Sequence, residues 1–408
     1  MSGPTQHVSQ IYVQLTDGDI DDDGSYRHLD PVHLGNILSV EVDDSLYLPD
    51  MFAVHIMDPN LDALKDDVFK PGRKVKISVQ LESSTSRTVL MKGEITSLEP
   101  DINSVERSTL CARGYDLSHR LHRVRRTTTY LNMTDGDIVR KLAQGASLKT
   151  VISPTSEVHE YLMQANQTDW EFMMDRAQRL GFRLYVEGKT LHFEKPPESP
   201  PVETPLSWGL SIQQFKARLT TMDQVSEVEV RGWDPKGKRD IVGRATRPSP
   251  SLQNRRDQGK TGASEAMAAH SIQGKHMIVD RPVFSPKEAE RLAQSALDRM
   301  SSNFIQAEGL AAGNPAIQAA TAVNLEGVGT RFSGKYMVTR ARHRYTAKAY
   351  TTQFWVSGGN GTMTITDLLS GGSSGGVGGG SAKSSRPTAN GVMVGSLRII
   401  RILRIWGG

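Results

Sequence analysis

The run Asp19-Ile20-Asp21-Asp22-Asp23-Gly24 places Asp19, Asp21 and Asp23 at alternate positions. Carboxylates so spaced can converge on one hard cation, and Gly24 permits the sharp turn that a calcium loop requires. Asp30 falls where such a loop carries a bidentate Glu, on a shorter side chain, and Arg27 occupies a ligand-side position. No helical pattern flanks the run, so it reads as a solvated acidic hairpin loop ahead of a Ca2+ site. A second cluster, Ser118-His119-Arg120-Leu121-His122-Arg123, puts His119 and His122 at i and i+3 beside Arg125 and Arg126. Those cations repel a metal, and no thiolate or carboxylate stands nearby in sequence. A solvated basic face is the better reading, ahead of a metal or phosphate contact.

Nucleophilic and phosphate-binding signatures are missing: there is no P-loop or His-Glu-x-x-His, and no Gly-x-Ser-x-Gly elbow outside the low-complexity Gly/Ser tract that begins at Gly371. The single Cys111 excludes an internal disulfide framework and a Cys-rich zinc site. A cell-wall hydrolase would need paired carboxylates in a cleft. Asp169 and Glu171 have the right type, but helix capping explains them better. No catalytic, cofactor-binding or metal-ligating set assembles, which favours a structural or interaction protein.

The elements that frame these residues change along the chain. The first 115 residues alternate apolar and polar positions, most clearly over Lys74–Glu82, with repeats at Ile11/Val13/Leu15, Leu38/Val40/Val42 and Phe52/Val54/Ile56. That period predicts short antiparallel strands in a barrel or sandwich, with Pro71-Gly72 as a turn. From Tyr115 helices enter. Thr168-Asp169-Trp170-Glu171 is a capping box that opens a helix ending at Gly181. Thr134-Asp135-Gly136-Asp137 opens another, and Ser285-Pro286-Lys287-Glu288 opens a third that runs to about Met300. A strand pair over 182–193 turns at Glu187-Gly188-Lys189.

Strands return after residue 304, and they carry an internal echo. Ala319–Leu325 lines up with Pro71–Ile77, Gly334 with Gly93, and Gly358 with Gly114. This predicts a duplicated barrel interrupted by α+β material. The Pro-rich stretch 194–205 predicts a stiff connector, Gly371–Ser385 a flexible tether, and Arg244–Ala269 a long loop.

The chain has 408 residues, 37% of them apolar, and a net charge of +4. Such a balance suits two to three soluble domains and lacks the dense basic face of a nucleic-acid binder. No run of about 18 apolar residues exists to span a bilayer. The N-terminus lacks the features of a secretory signal, so the expected compartment is the cytoplasm.

Two segments carry a specific resemblance. Asn166-Gln167-Thr168-Asp169-Trp170-Glu171-Phe172-Met173, followed by Arg179-Leu180-Gly181-Phe182 and Leu184-Tyr185-Val186, is one. Gly327-Val328-Gly329-Thr330-Arg331-Phe332-Ser333-Gly334-Lys335-Tyr336-Met337-Val338-Thr339 is the other. Together they resemble the VgrG-type spike and phage late-control D proteins, the baseplate hubs of contractile tails, type VI secretion and extracellular injection systems. The resemblance covers about residues 7–360.

It implies a strand-rich α+β chain with two related antiparallel tube-like β-barrel domains, assembling as a trimer into a pseudo-hexameric ring. Its implied partners are further copies of the chain, a hexameric inner tube protein, other baseplate proteins and a spike tip protein, with no nucleic acid and no stable membrane insertion. No catalytic residues belong to such a hub. The particle would assemble in the cytoplasm and could then act outside the cell.

The corresponding domains are 1–115 (first barrel), 116–205 (α+β domain and connector), 206–238 with 304–358 (second barrel) and 239–303 (inserted loop and helix). A linker over 359–390 precedes 391–408, a truncated start of a spike OB-fold. Asn390–Gly395 resembles the opening strand of that fold, whereas Ser396–Gly408 does not continue it. One permitted codon choice, read in another frame, gives Ala-Asp-Asn-Lys-Asp-Pro-Glu-Asp-Leu-Gly-Arg, which resembles the family's next segment. A frameshift is thus the leading expectation for this tail, ahead of a natural short hub with a separate spike and of a membrane-associating basic tail. An unbroken frame in the gene sequence, ending without downstream needle sequence, would refute it.

Overall fold

A computed structural model describes residues 10–357, except 66, 83, 104–106, 198–201, 250–257 and 271–273. All of these belong to one unit, 1–362. The expected tether, linker and OB-fold start lie outside the described residues, as does Gly358.

The alternating segments fold as strands. In chain order they are β1 (Gln10–Thr16), β2 (Arg27–His28), β3 (Ile37–Ser45), β4 (Met51–Met57), β5 (Lys74–Gln80), β6 (Thr88–Asp101) and β7 (Thr109–Tyr115). Two short helices, α1 (Pro31–Gly35) and α2 (Asp62–Lys65), lie in their connections. The period-2 pattern sends Val75, Ile77 and Val79 of β5 inward with Val13, Val40, Val54 and Ile95 to form one buried core.

A mixed region follows. Strands β8 (Arg125–Thr134) and β10 (Val158–Thr168) form an antiparallel pair. β11 (Arg183–Glu187), β12 (Thr190–Glu194) and β9 (Lys149–Ile152) form a three-stranded sheet. Helices α3 (Asp135–Gly145) and α4 (Asp169–Leu180) both start in the predicted capping boxes, on Thr134 and Thr168. Gly181 ends α4 at φ +68°, a left-handed cap that glycine adopts without strain. Trp170, Met173 and Ala177 bury one face of α4 against Leu184 and Phe193.

The chain then enters β13 (Glu203–Ser207) and β14 (Ile212–Leu219). An inserted sheet follows, made of β15 (Glu227–Asp234), β16 (Arg239–Ala245) and β17 (Lys275–Ile278). Helices α5 (Gln258–His270) and α6 (Pro286–Ser302) accompany it. The strands β18 (Ile305–Ala312), β19 (Ala322–Glu326), β20 (Gly334–Thr346) and β21 (Tyr350–Ser357) complete the described chain.

Three expectations need correction here. β15 had been placed in the second β-domain, yet it pairs with β16 and β17, because its inward Val228 and Val230 pack on Leu292, Ala293 and Ala296 of α6. The loop expected over 244–269 contains α5, and the connector expected over 194–205 ends in β13, which pairs in parallel with β19.

The duplication is visible in the pairing. One repeat has the order β3-β4-β7-β6-β5-β1, and the other β14-β18-β21-β20-β19-β13. Numbered by first appearance within each repeat, both orders are the same. The inserted sheet and α5–α6 fall between the second and third strands of the later copy. Residue-level equivalence follows from the register. Val75 opposes Gly93 and Ile77 opposes Met91, while Val323 opposes Tyr336 and Leu325 opposes Gly334. The echo between 71–77 and 319–325 is therefore in the correct register. The glycines are not: Gly334 corresponds to Met91, and Gly114 to Val356.

A shared bulge fixes the alignment. Pairing slips at Thr96 in β6 and at Thr339 in β20, and each threonine hydroxyl donates to a carbonyl of the next strand, Arg113 at 3.5 Å and Trp355 at 3.2 Å.

The expected closed barrels are replaced by one continuous thirteen-stranded sheet. The edge of β3 pairs with β20 of the other repeat and not with β1 of its own. Each repeat wraps a separate apolar core but stays open on the described residues.

Candidate functional site at the seam between the repeats

The seam is built by β3 and the C-terminal half of β20, paired antiparallel with Asp43 opposite Arg342 and Glu41 opposite Arg344. The two strands carry opposite charge on the same face. Asp43 accepts from Arg340 Nε at 2.6 Å and from Arg342 at 2.8 Å, and Glu41 meets Arg344 at 3.1 Å. Both Arg340 and Arg342 lie over the Trp355 ring.

Behind this face His343 is buried. Its Nε2–H donates to the Ile317 carbonyl at 3.0 Å, and Nδ1 accepts from Tyr350 at 2.9 Å and Thr352 at 3.1 Å. Burial pushes its pKa down to about 4, so it is neutral at ordinary pH and acts as a structural connector.

One end of the seam opens into a cleft of about 520 Å³ lined by Asp44, Asp50, Asp116, Tyr185 and Lys195. The three carboxylates come from separate elements, and their meeting has no local sequence signal. Burial raises Asp44 and Asp116 to about 6 and Asp50 well above its ordinary range, with neighbouring carboxylates adding to the effect at Asp44 and Asp50. Each is engaged by backbone amides: Asp44 by Ala319 at 2.7 Å, Asp50 by Ser45 at 2.9 Å, and Asp116 by Ser118 at 2.8 Å and Asp50 at 3.2 Å. These contacts brace the turns at the seam.

The folded state holds protons more tightly than the unfolded chain, so this stabilisation is complete below about pH 4 and is lost as pH rises through about 6. Asp50→Asn keeps an acceptor for Ser45 and removes a charge. It should raise the melting temperature at pH 7.5, by an amount worth on the order of 1–3 kcal/mol, and change little at pH 4. Equal gains at both pH values would contradict the assignment.

The residues singled out from sequence are dispersed. Asp19 pairs with Lys189 at 2.8 Å, Asp21 with Lys149 at 3.6 Å, and Asp23 with Lys76 and Lys92 at 3.1 and 3.0 Å. Asp30 caps α1, accepting from Val32 and His33 amides. The three alternate carboxylates are thus each paired with lysines, and among the described residues no group of three or more His, Cys, Asp or Glu is placed to hold a metal.

The basic cluster is not simply solvated, which corrects that reading. Burial opposes the charge of Glu94, but hydrogen bonds from His119 at 3.2 Å and Arg120 at 3.0 Å outweigh it and keep the carboxyl low. His122 packs against Trp170, and burial lowers its pKa to about 4. Asp169 and Glu171 sit at the start of α4, where Glu171 closes the capping box and Asp169 accepts from Gln164 at 3.0 Å and pairs with Arg126.

The architecture matches solved tail proteins. The 43 kDa tail protein of prophage MuSo2 from Shewanella oneidensis superposes with TM-score 0.60 at 13% identity, over 86% of this chain and 98% of that one. A tail protein from Neisseria meningitidis MC58 gives 0.59 at 14% identity, over 85% and 96%. An Escherichia coli type VI secretion component, described as similar in structure to the T4 bacteriophage tail proteins gp27 and gp5, gives 0.50 at 11%, over 79% and 73%. At these identities the likeness is one of fold, and the fold is that of phage-tail and type VI secretion proteins. By sequence, the family model described as the Alg8 N-terminal domain matches residues 54–347, more than half of the chain. The chain belongs to that family. No curated protein matches the sequence.

Proposed function

We propose that this protein is a structural hub of a contractile injection machine, and that it has no catalytic role. Three copies form a ring of six tube-like β-repeats that adapts a hexameric inner tube to a trimeric spike. The observation that carries this reading is the pair of repeats with identical strand order, already joined edge to edge in one chain. A trimer of a duplicated unit presents six near-equivalent surfaces, which is what a three-to-six symmetry mismatch requires. Its partners would be the inner tube protein, baseplate proteins and a spike tip protein. The hub would assemble in the cytoplasm before joining the particle.

Light scattering of the full chain after gel filtration should give three times the chain mass of 44.9 kDa. A monomer at every concentration tested would sink the proposal.

A further inference from the structure

Among the described residues the duplication leaves two sheet edges without partners, and they are equivalent to the two edges that already meet at the seam. From the register, β14 corresponds to β3: Phe215 to Val40, Lys216 to Glu41, Ala217 to Val42 and Arg218 to Asp43. The C-terminal half of β6 corresponds to that of β20: Ser97 to Arg340, Leu98 to Ala341, Glu99 to Arg342 and Asp101 to Arg344. β20 receives β3 along this stretch. Among the described strands, β6 past its bulge at Thr96 pairs only with β7, and β14 only with β18.

We infer that β14 of one copy adds to the free edge of β6 in the next copy, repeating between chains the joint that β3 and β20 make within one. This rests on the ring reading above and names its contact. The register carried over from the seam puts Glu99 opposite Arg218 and Asp101 opposite Lys216 of the neighbouring copy.

The charge pattern supports the match. Within the chain an acidic strand, with Glu41 and Asp43, meets a basic one, with Arg342 and Arg344. Between copies the signs are exchanged and still complementary. Lys216, Arg218, Glu99 and Asp101 are all exposed. Among the described residues Glu99 pairs with Arg113 at 3.1 Å, while Asp101, Lys216 and Arg218 make no ion pair. Pairing of like edges between copies, β6 with β6 or β14 with β14, would set acid opposite acid or base opposite base. The arrangement therefore favours a head-to-tail contact, which closes into rings. Pro100 occupies the position equivalent to His343 and offers no N–H, so the ladder is shorter by at most one bond there.

The test compares the full chain with Lys216→Glu plus Arg218→Glu, with Glu99→Lys plus Asp101→Lys, and with all four changes combined. Each pair alone sets like charges opposite one another and should weaken trimer formation at least ~10-fold, seen as monomer by light scattering. The combined variant restores complementarity and should return to the trimer, which also shows that the substitutions do not unfold the chain. In parallel, Asp101→Cys with Lys216→Cys, a pair that avoids the Glu99 position opposite the native Cys111, should yield covalent ladders up to three chains on oxidation, and neither single change should. An unaltered trimer whose reversed variants also stay trimeric, or which gives no cross-link, would overturn the joint and leave the hub reading standing. A monomeric wild-type chain would remove both. A combined variant that stays monomeric would overturn the joint alone.

Discussion

Arg176→Ala is expected to destabilise the protein by about 3–5 kcal/mol, because it strands a buried carboxylate. Arg176 of α4 is 3% exposed, and Asp135, at the first turn of α3, is 1% exposed. The guanidinium grips Asp135 through Nε and through a second nitrogen at 3.1 Å, and His159 of β10 approaches the same carboxylate at 3.1 Å. Burial alone would raise the Asp135 pKa, but hydrogen bonds from His159 and Arg176 reverse this and hold it low. Removing the cation leaves only His159 to compensate the charge. Replacing both partners together, Asp135→Leu with Arg176→Met, leaves no orphan charge and should cost far less. Urea unfolding followed by circular dichroism checks both, and a loss under about 1 kcal/mol for Arg176→Ala would place the pair with weak surface bridges.

That network shows what sequence could and could not convey. The helices that hold it were legible because their signals are local: Thr134 and Thr168 with the acid three residues on, then Gly181 at the end of α4. Nothing in the sequence links Asp135 to Arg176 across 41 positions. The same holds for the large sheet. Alternation revealed strands and even the register of 71–77 against 319–325, since buried positions recur at the same spacing in both copies. It could not reveal that β3 joins β20, a pairing nearly 300 residues apart, so the repeats were expected to close on themselves. α5 was missed because its segment is polar with two glycines and lacks an apolar stripe. β15 was misplaced because alternation marks a buried face without saying which sheet covers it.

The seam was less legible still. Its acids, Asp43, Asp44, Asp50 and Asp116, are scattered among ordinary surface-type carboxylates, and the basic partners lie on the last hairpin. In the more conspicuous acidic run at 19–23, Asp19, Asp21 and Asp23 are held in separate lysine pairs. Spacing is informative only when one element holds all the groups, and here Asp19, Asp21 and Asp23 meet different lysines while Asp22 accepts from the Gly24 amide.

The two repeats also solve their core packing by exchanging partners, and this yields the second large effect. In the later copy Phe354 is fully buried opposite Gly309, where an added Cβ would lie 2.3 Å from the ring. The equivalent pair in the first copy is Ala112 opposite Val54. Two positions along, the sizes reverse: Phe52 lies opposite Gly114, whose Cβ would lie 2.5 Å from that ring, and the later copy has Ala307 opposite Val356. Each repeat thus lays one phenylalanine across a glycine, but from opposite strands. Phe354→Ala should cost about 3–5 kcal/mol through lost burial and a residual cavity. Gly309→Val alone should also destabilise, since its side chain would overlap the ring. Combined, they recreate the Val54–Ala112 solution of the first copy, so the double variant should be more stable than Phe354→Ala alone by at least ~1 kcal/mol. Thermal melts of the three variants decide the matter: simply additive losses would mean that the repeats share a strand order but not interchangeable packing.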